Sequence, residues 1–250
     1  GLTCAVLDLP LRSAGKARQS EALQQALLEE VLARPTNLTA AVRGGKRFEL
    51  DYVQTRFDSP EDLPLRDGGT YMITGGFGGI GTTLAAALMQ KAEANIVLLA
   101  RSPLPDREQW DSYLHKHAPQ DPIHRRIRAV QQLEQIGGRV LVLAADVSNV
   151  EDMRLALRQA RDAFGDVHGV IHAAGVIADA PIVGKSLSDI EDVFTPKIHG
   201  TQVLDQLFPD GSLDWMVLFS SSSTATAPAG QVDYVAANEY LNAFAKARSG

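Results

Sequence analysis

The sequence predicts an α/β fold whose larger part is a doubly wound parallel sheet, and three observations indicate it. A short apolar run at residues 71–73 leads into a cluster of glycines, and a helical pattern follows from Thr82. A second run, residues 95–100, is continuously apolar, as expected of a strand buried on both faces. Strand-like and helical patterns then alternate along the chain, which is the order of elements in a parallel sheet covered by helices.

The composition limits the classes of protein to consider. The chain has 250 residues, of which 45% are hydrophobic, and a formal net charge of −6. This length suffices for one good-sized core and a smaller unit, and the mild acidity gives no reason to expect nucleic acid or membrane partners. No apolar run approaches the roughly 20 residues of a membrane helix. The single Cys4 excludes an internal disulfide and indicates a reducing compartment, so a cytoplasmic location is expected.

The smaller unit is predicted to occupy residues 1–68. It contains a strand-like run near residues 2–9 and an amphipathic helix at 18–33 that ends before Pro35. Two strand-like runs, 38–42 and 47–55, surround Gly44 and Gly45, which indicates a hairpin. Residues 58–69 are rich in acidic residues, proline and glycine and are interpreted as a linker. No catalytic side chains cluster in this unit, so a supporting role is predicted.

The glycine cluster predicts a nucleotide site. Strand, glycine-rich turn and helix are the first elements of a dinucleotide-binding βαβ unit, in which glycine permits a tight turn close to a pyrophosphate. The helix that follows offers free N–H groups to the phosphates. A glycine-rich hairpin or linker is the alternative, which the buried strand after it makes less favoured. The predicted cofactor-binding residues here are Thr74, Gly75, Gly76, Phe77, Gly78, Gly79, Ile80 and Gly81.

The end of the second strand indicates which dinucleotide binds. An acidic residue at this position suits the ribose 2′-hydroxyl of NAD, whereas a positive residue suits a 2′-phosphate. The residues present are Arg101 and Ser102. We therefore expect NADP(H), with the hydroxyl of Ser102 directed to the same phosphate. A solvated surface arginine is the alternative.

The connection from residue 102 to residue 138 is long, and its apolar pattern predicts two helices separated at Asp121 and Pro122. His115, His117 and His124 lie within it. Their spacing matches no standard ligand pattern, so they are predicted to lie on solvated helix faces, and no metal site is expected.

The third and fourth strands, residues 139–145 and 167–172, also end in candidate cofactor contacts. Asp146 and Val147 follow the third strand, and Asp146 could meet the adenine amino group. The alternative for this segment is a cap, through Ser148 or Asn149, on the next helix, predicted at about 150–164. His172 could act as a base, but a histidine within an apolar strand is more often a hydrogen-bonded core residue. Small residues would let the cofactor lie flat after the fourth strand: Ala173, Ala174 and Gly175.

The last part of the chain carries the candidate chemistry. A long helical pattern at 189–208, interrupted near Pro196, contains Lys197. A fifth strand at 213–219 is followed by Ser220 and Ser221. Tyr234 begins the final helix, 234–248, and Asn238 lies one turn later on the same face.

A ketone reduction would use these groups. Tyrosine has an unperturbed pKa of about 10, so it works as an acid–base group only when its phenolate is stabilised. A nearby lysine ammonium lowers that pKa, and a serine hydroxyl can hold the substrate oxygen.

With these residues in view, the chain resembles a short-chain dehydrogenase/reductase, and specifically the ketoreductase (KR) domain of a modular polyketide synthase. The resemblance covers essentially all 250 residues. It is carried by residues 74–81, 99–102, 145–147, 172–175, 196–197, 219–221 and 234–238.

The resemblance implies a role for each candidate. Most short-chain reductases place a lysine four residues after the catalytic tyrosine, where this chain has Asn238, but KR domains take the lysine from the preceding long helix, where Lys197 fits. Tyr234 would then donate the proton, Ser221 would polarise the β-ketone, Lys197 would tune Tyr234 and hold the cofactor ribose, and Asn238 would support the relay. Tyr234 is likewise counted among the cofactor contacts. Ser221 is preferred over Ser220 because it stands thirteen residues before Tyr234, the spacing of the family.

The resemblance also implies the domain organisation. Residues 1–68 are similar to the end of a structural subdomain, a truncated Rossmann-like unit without cofactor, and residues 69–250 to the catalytic Rossmann-type subdomain. The first half of the structural subdomain, the last catalytic strand and part of the substrate lid are expected outside the sequence, which begins at Gly1 rather than methionine.

The stereochemistry follows from two positions. A Leu-Asp-Asp signature marks B-type reduction in this family, and the matching residues 177–179 keep only the last aspartate, Asp179, which would contact the substrate. A-type domains carry a tryptophan where this chain has Thr226. The resemblance thus favours B-type reduction and a D-configured hydroxyl, with an ordinary loop acid as the alternative for Asp179.

The leading hypothesis is an NADPH-dependent β-ketoacyl reductase acting on a chain tethered to an acyl carrier protein by phosphopantetheine, among neighbouring domains of a synthase. A non-catalytic Rossmann scaffold of a megasynthase is the alternative, against which Ser221, Tyr234 and Lys197 speak. A methyl-donor-binding enzyme is disfavoured, because that cofactor would want an acid where Arg101 stands. The acyl chain length, the α-substituent and the oligomeric state do not follow from the sequence.

Overall fold

The computed structural model describes residues 6–9, 18–32, 39–44, 46–56 and 64–248. Its contacts divide the chain into two compact units, Gly1–Glu61 and Asp62–Gly250. Each unit is built around its own sheet. Within the described residues, no helix is both long and apolar enough to span a membrane.

The first unit is a small sheet with one helix. Its described elements, in chain order, are β1 (Val6–Asp8), α1 (Arg18–Leu32), β2 (Thr39–Arg43) and β3 (Lys46–Glu49). β1 pairs with β2 in parallel, and β2 pairs with β3 antiparallel, so the predicted hairpin is present, although Gly45 lies outside the described residues. The predicted strand at 2–9 is observed only as β1, because residues 1–5 lie outside the described part of the chain.

The second predicted strand of the hairpin is too long. The sequence pattern extends to residue 55, whereas β3 ends at Glu49. The register explains the difference, since Glu49 pairs with Ala40 and β2 begins only one residue earlier, at Thr39. The described part of β2 therefore begins opposite the end of β3, and residues 50–56 form no regular structure.

The second unit alternates strands and helices. Its elements are β4 (Thr70–Thr74), α2 (Gly79–Ala92), β5 (Asn95–Ala100), α3 (Trp110–Lys116), α4 (Pro122–Ile136), β6 (Val140–Ala144), α5 (Val150–Phe164), β7 (Gly169–His172), α6 (Leu187–Phe194), α7 (Gly200–Leu207), β8 (Trp215–Leu218), α8 (Ser223–Thr226) and α9 (Val232–Arg248). Short 3₁₀ turns occur at Arg107–Gln109 and Ile182–Gly184, and a π-helical turn, Thr195–His199, joins α6 to α7.

The five strands form one parallel sheet in the order β6-β5-β4-β7-β8. The chain therefore starts in the middle, winds to one edge and then returns to build the other half. This is the doubly wound topology that the sequence predicts. The central strands β4 and β7 are buried along their whole length, as expected of strands covered by helices on both faces.

The core lies on both faces of this sheet. On one face, α5 and α7 pack on the sheet through buried side chains such as Met153, Ala156 and Leu204. On the other, α2 contributes Ala85, Leu88 and Met89. Alternate residues of each strand face opposite sides, so each strand contributes to both cores.

The long connection after β5 contains two helices, α3 and α4, as predicted. Asp121 caps α4 by accepting a hydrogen bond from the backbone N–H of His124, and Pro122 occupies the first helical turn, where a missing N–H costs nothing. The prediction of solvated histidines is wrong for His124, which is 8% exposed and whose Nδ1 lies 2.9 Å from the carbonyl oxygen of His117. It fills the space between α4 and the end of α3.

Candidate active site

The carboxyl ends of the five parallel strands lie along one edge of the sheet, where open α/β sheets bind their ligands. All predicted site residues follow these ends or lie on the helices next to them. The glycine turn follows β4, Arg101 and Ser102 follow β5, Asp146 follows β6, residues 173–175 follow β7, and Ser220 and Ser221 follow β8.

The glycine turn has the geometry of a phosphate-binding loop. Gly75 adopts φ +64°, and a Cβ there would lie 2.7 Å from the carbonyl oxygen of Ala173. A Cβ on Gly81 would lie 2.8 Å from the carbonyl oxygen of Gly76, so the turn can close only with glycine. A Cβ on Gly79 would meet nothing within 4 Å, and no side chain caps α2 at Gly78. The open side of the turn therefore presents the first N–H groups of α2, which fits the pyrophosphate of a dinucleotide.

Thr74 and Ile80 complete this turn in different ways. Thr74 is 1% exposed, and its Oγ1 lies 2.6 Å from Nδ1 of His172 and accepts a weak hydrogen bond from the backbone N–H of Ala174. It therefore ties β4 to β7 from within the core. Ile80 is 51% exposed at the start of α2.

The end of β5 carries one more cation than the sequence indicates. Arg101 and Ser102 are exposed there, as a cofactor phosphate would require. Arg126 of α4 reaches the same place and donates hydrogen bonds to the hydroxyl and the carbonyl oxygen of Ser102, at 2.9 and 2.6 Å. Nothing in the helical pattern of α4 distinguishes Arg126 from the neighbouring arginines, so sequence reasoning missed it.

Asp146 forms a turn with Ser148, and the predicted cap on the next helix comes from Asn149. Oδ1 of Asp146 accepts hydrogen bonds from the backbone N–H and the hydroxyl of Ser148, at 2.9 and 2.6 Å, while Asn149 caps α5. Among the described residues, no hydrogen bond to the other carboxylate oxygen is found. Val147 is 7% exposed and packs in the core, so only its backbone can reach a cofactor.

His172, the last residue of β7, belongs to the core. It is 1% exposed, and its contact with Thr74 agrees with the prediction of a hydrogen-bonded core histidine. Burial lowers the pKa of His172 to about 4, and the nearby ammonium of Lys197 contributes in the same direction. The imidazole is therefore neutral at pH 7, and its burial keeps it from acting as a general base.

Lys197 lies in the π-helical turn between α6 and α7. The sequence predicts one helix interrupted near Pro196, and the structure shows this interruption as a widened turn of five residues, a form that is often found at functional sites. The turn directs Lys197 inward, where it is 4% exposed and its Nζ donates a 2.9 Å hydrogen bond to the carbonyl oxygen of Phe219. Burial lowers the pKa of Lys197 to about 8.

Lys197 lies between the ends of two strands and the start of α9. Its hydrogen bond reaches the end of β8, and a Cβ on Gly175, after β7, would lie only 3.1 Å from Cε of Lys197. Its Nζ lies 5.7 Å from the centroid of the Tyr234 ring. A cation beside an aromatic ring in a buried place interacts strongly with it, so the turn brings Lys197 and Tyr234 into one electrostatic unit.

The two serines after β8 have different hydrogen bonds. The hydroxyl of Ser220 donates to the carbonyl oxygen of Asn238, at 3.2 Å. Oγ of Ser221 accepts a hydrogen bond from the backbone N–H of Ser223, at 3.1 Å, and no acceptor for its hydroxyl hydrogen is found among the described residues. Ser221 can therefore donate to a ligand, whereas Ser220 is already used.

Tyr234 and Asn238 share one face of α9, as predicted. Nδ2 of Asn238 donates to the carbonyl oxygen of Tyr234 at 2.7 Å, so the amide side chain lies along the helix just below the tyrosine. Asn238 is fully buried, and within the described chain its Oδ1 accepts no hydrogen bond. A buried acceptor of this kind is usually satisfied by a water or a ligand.

The loop after β7 docks on the start of α9 chiefly through an ion pair that the sequence analysis did not identify. Nζ of Lys185 lies 2.6 Å from Oδ2 of Asp233, and the two side chains are 1% and 2% exposed. Oδ1 of Asp233 in turn accepts a hydrogen bond from the backbone N–H of Tyr234, at 2.9 Å. Asp179, the predicted substrate contact, accepts from Nε2 of Gln231 at 2.8 Å. These contacts hold the loop against the turn that precedes Tyr234.

Comparison with known proteins identifies the family. Residues 69–250 match the family model described as KR domain. The chain is 33% identical over 218 residues to polyketide synthase PksM of Bacillus subtilis strain 168, covering 87% of this chain and 5% of that protein. It is 36% identical over 224 residues to a phenolphthiocerol/phthiocerol polyketide synthase of Mycobacterium tuberculosis, covering 88% of this chain and 12% of that protein.

Solved structures agree with this result. The ketoreductase from the first module of phoslactomycin biosynthesis in Streptomyces sp. HK803 superposes with a TM-score of 0.77 at 28% identity, over 98% of this chain and 51% of that one. An N-terminal ketoreductase from the macrolactin assembly line gives a TM-score of 0.73 at 28% identity, over 99% of this chain and 45% of that one. The chain thus spans about half the length of these solved ketoreductases and a small part of the curated synthases. The doubly wound sheet, its glycine turn and these matches together show that the chain belongs to the KR family, the ketoreductase domains of polyketide synthases.

Proposed function

We propose that this chain reduces the β-keto group of an acyl chain, tethered to an acyl carrier protein by phosphopantetheine, to a β-hydroxyl with NADPH. The observation that carries the proposal is the position of the Lys197 ammonium, 5.7 Å from the centroid of the Tyr234 ring. It lies at the edge of the sheet where the hydroxyl hydrogen of Ser221 has no acceptor among the described residues. Membership of the KR family supports the reaction class, and the relatives named as polyketide synthases support the carrier-bound substrate and neighbouring domains.

The protein residues would supply the proton and hold the reacting carbonyl. Bound reduced nicotinamide supplies the hydride that adds to the carbonyl carbon. The phenol of Tyr234 donates its proton to the carbonyl oxygen as negative charge develops there, and Ser221 donates a hydrogen bond to the same oxygen.

Lys197 makes this proton transfer feasible. The ammonium near the Tyr234 ring would stabilise the negative charge left on the phenol oxygen after proton donation. Lys197 is held by Phe219 and enclosed by Gly175, so its charge needs no reorientation during the reaction. Asn238, with its unpaired Oδ1, would hold a water through which Tyr234 regains its proton.

The proposed cofactor contacts lie at the strand ends or on elements next to them. The N–H groups of the glycine turn would bind the pyrophosphate, Arg101 and Ser102 the 2′-phosphate, Asp146 the adenine, and Lys197 and Tyr234 the ribose of the nicotinamide. Residues 173–175 leave the space beside β7 open, because none has a side chain larger than a methyl group.

The substrate would enter beside the loop at residues 176–186. Asp179 is exposed there, and its bond to Gln231 fixes its direction. We propose B-type reduction and a D-configured β-hydroxyl from this aspartate and from Thr226, which stands where A-type domains carry tryptophan. Chiral analysis of the product tests this, and an L-configured hydroxyl would overturn it.

Residues 1–68 are proposed to be the end of a structural subdomain that supports the catalytic one, residues 69–250. The sheet of the first unit has three described strands, and among its described residues no His, Cys, Asp and Glu side chains form a metal-binding group. Its contacts lie mostly within a compact unit of its own, which supports a division of roles.

A matched pair of variants tests the proposed chemistry. The purified protein is mixed with NADPH and a β-ketoacyl thioester, and loss of absorbance by the reduced cofactor is followed. S221A is expected to lower kcat/KM by about 100-fold or more, the effect of losing one donor to a developing oxyanion. S220A, whose hydroxyl donates within the protein, serves as the control and should retain most activity. A wild-type protein that consumes no NADPH would favour the non-catalytic scaffold, and equal losses in S220A and S221A would contradict the assignment of the serine.

A further inference from the structure

Arg126 occupies an unusual place for a helix arginine. It lies on α4, outside every motif of the sequence, yet both of its terminal nitrogens donate to Ser102 at the end of β5. One bond goes to the side chain and the other to the backbone, so the guanidinium is fixed against the strand end rather than extended into solvent. Its neighbour Arg125, by contrast, is exposed.

The guanidinium also packs against the glycine turn. Its central carbon lies 4.5 Å from the centroid of the Phe77 ring, and Phe77 is the middle residue of the turn between Gly76 and Gly78. Stacking on an aromatic ring is a favoured environment for arginine. Arg126 therefore lies between the glycine turn and the end of β5, where a dinucleotide places its adenosine ribose.

The charge of Arg126 is incompletely compensated. Its Nε is buried and has no hydrogen-bond partner among the described residues, and burial lowers the pKa of the guanidinium below its ordinary value. Its two bonds go to uncharged oxygens, and none of the ion pairs found in the described part of the chain includes it. A partly buried cation without a counter-ion is unfavourable, and a phosphate would supply the missing charge. Of its five N–H donors, two are used by Ser102, so donors remain for an anion.

We propose that Arg126 binds the 2′-phosphate of the cofactor together with Arg101 and thereby sets the preference for NADPH over NADH. This inference rests on the proposed function, since it adds a specificity-determining residue to the same cofactor site. Arg101 is exposed and approaches from the strand, whereas Arg126 is held in place before the ligand arrives. A preorganised fork loses less entropy on binding a phosphate than a free side chain does.

The test measures nucleotide binding directly. Calorimetry with the full chain compares 2′,5′-ADP with 5′-AMP, two probes that differ only in the 2′-phosphate. R126M keeps the apolar stem over Phe77 and removes the charge, and R125M, one residue away and exposed, makes the same change of net charge. R126M is expected to lower the affinity for 2′,5′-ADP by about tenfold to 100-fold, the contribution of charge-assisted hydrogen bonds. Its affinity for 5′-AMP should fall by less than about twofold. R125M should leave both affinities unchanged.

Several results would overturn the proposal: equal weakening of both nucleotides in R126M, an equal effect of R125M, or failure of the wild-type protein to distinguish the two nucleotides. Should R126M not fold, R126K replaces it, because an ammonium keeps the charge but cannot make the forked contact. The proposed function is judged separately by NADPH consumption with a β-ketoacyl thioester. If R126M selectively loses binding of 2′,5′-ADP but the wild-type protein has no reductase activity, the role of Arg126 stands and the proposed reaction falls. If the wild-type protein is an active reductase but R126M keeps the same nucleotide selectivity, the reaction stands and the role of Arg126 falls.

Discussion

Replacing Lys197 with methionine should remove activity without destabilising the ligand-free protein, although the substitution removes a buried hydrogen bond. Burial lowers the pKa of Lys197 from 10.5 to about 8. At 1.36 kcal/mol per pKa unit, keeping the lysine charged inside the folded protein costs up to about 3 kcal/mol at pH 7. Methionine removes that cost but leaves the carbonyl of Phe219 without its partner, which costs about 1–3 kcal/mol. K197M should therefore be as stable as the wild type or about 2 kcal/mol more stable, instead of strongly destabilised.

The pH dependence isolates the electrostatic part. Below pH 8 the lysine is protonated in the folded and unfolded states, so the full cost applies. Between pH 8 and 10.5 the unfolded state binds more protons than the folded state, so the stability of the wild type rises with pH. Above pH 10.5 the lysine is neutral in both states and the cost disappears. The stability of the wild type relative to K197M should thus improve by up to about 3 kcal/mol across this window.

The assay is urea unfolding of the ligand-free protein from pH 7 to pH 10.5, followed by tryptophan fluorescence. Both tryptophans, Trp110 and Trp215, lie in the second unit, so the signal reports the unit that contains the site. K116M, which removes an exposed lysine of α3, is the control and should follow the wild type at every pH. In parallel, kcat/KM of K197M should fall by about 100-fold or more, the usual contribution of acid–base groups. A difference between wild type and K197M that stays constant from pH 8 to pH 10.5 would refute the reasoning about a buried charge.

Three further predictions concern the surroundings of the site. K185M leaves Asp233 buried without its counter-ion and should lower the unfolding free energy by about 3–5 kcal/mol. The double variant K185M/D233N should regain a large part of that loss, and equal losses in the two variants would contradict this prediction. G75A should lower the free energy of urea unfolding by about 2 kcal/mol or more, because residue 75 has φ +64° and the new Cβ would overlap a backbone carbonyl. G79A has open space around the new methyl group, so it should leave unfolding unchanged and weaken binding of the dinucleotide. Stability should fall as pH decreases from 6.5 towards 4, because the unfolded state protonates His172 (folded pKa about 4) before the folded state does; a pH titration of unfolding in which H172N shows the same slope would exclude this histidine as a cause.

The sequence predicts the fold of the second unit well because its signals are local. The glycine turn, the buried strand before it and the split at Asp121 and Pro122 each depend on neighbouring residues, and the structure confirms all three. Adjacent signals of this kind also place Arg101 at the end of β5, since a strand and the residue that follows it are recognised together.

Contacts between distant residues could not be predicted in the same way. Arg126 meets Ser102 from 24 residues away, and Lys185 meets Asp233 from 48 residues away. Both are ordinary basic residues in their own segments, and only the packing of one element on another gives them partners. The choice between Ser220 and Ser221 depends on distant contacts too, because the partners of each hydroxyl follow from the arrangement of α9 beside β8.

The π-helical turn at Thr195–His199 also constrains how this part of the chain can evolve. An extra residue in one turn shifts the rotational phase of everything after it by about 100°, the angle between successive residues of a helix. α6 buries Val193 before the turn, and α7 buries Val203 and Leu204 after it. The wide turn sets the rotation of α7 about its axis, so that these side chains face the core. A single-residue deletion here would restore a regular helix but rotate the apolar side of α7 towards water. The inward direction of the lysine and the packing of the following helix therefore both depend on this wide turn, and deleting its extra residue would disrupt both together.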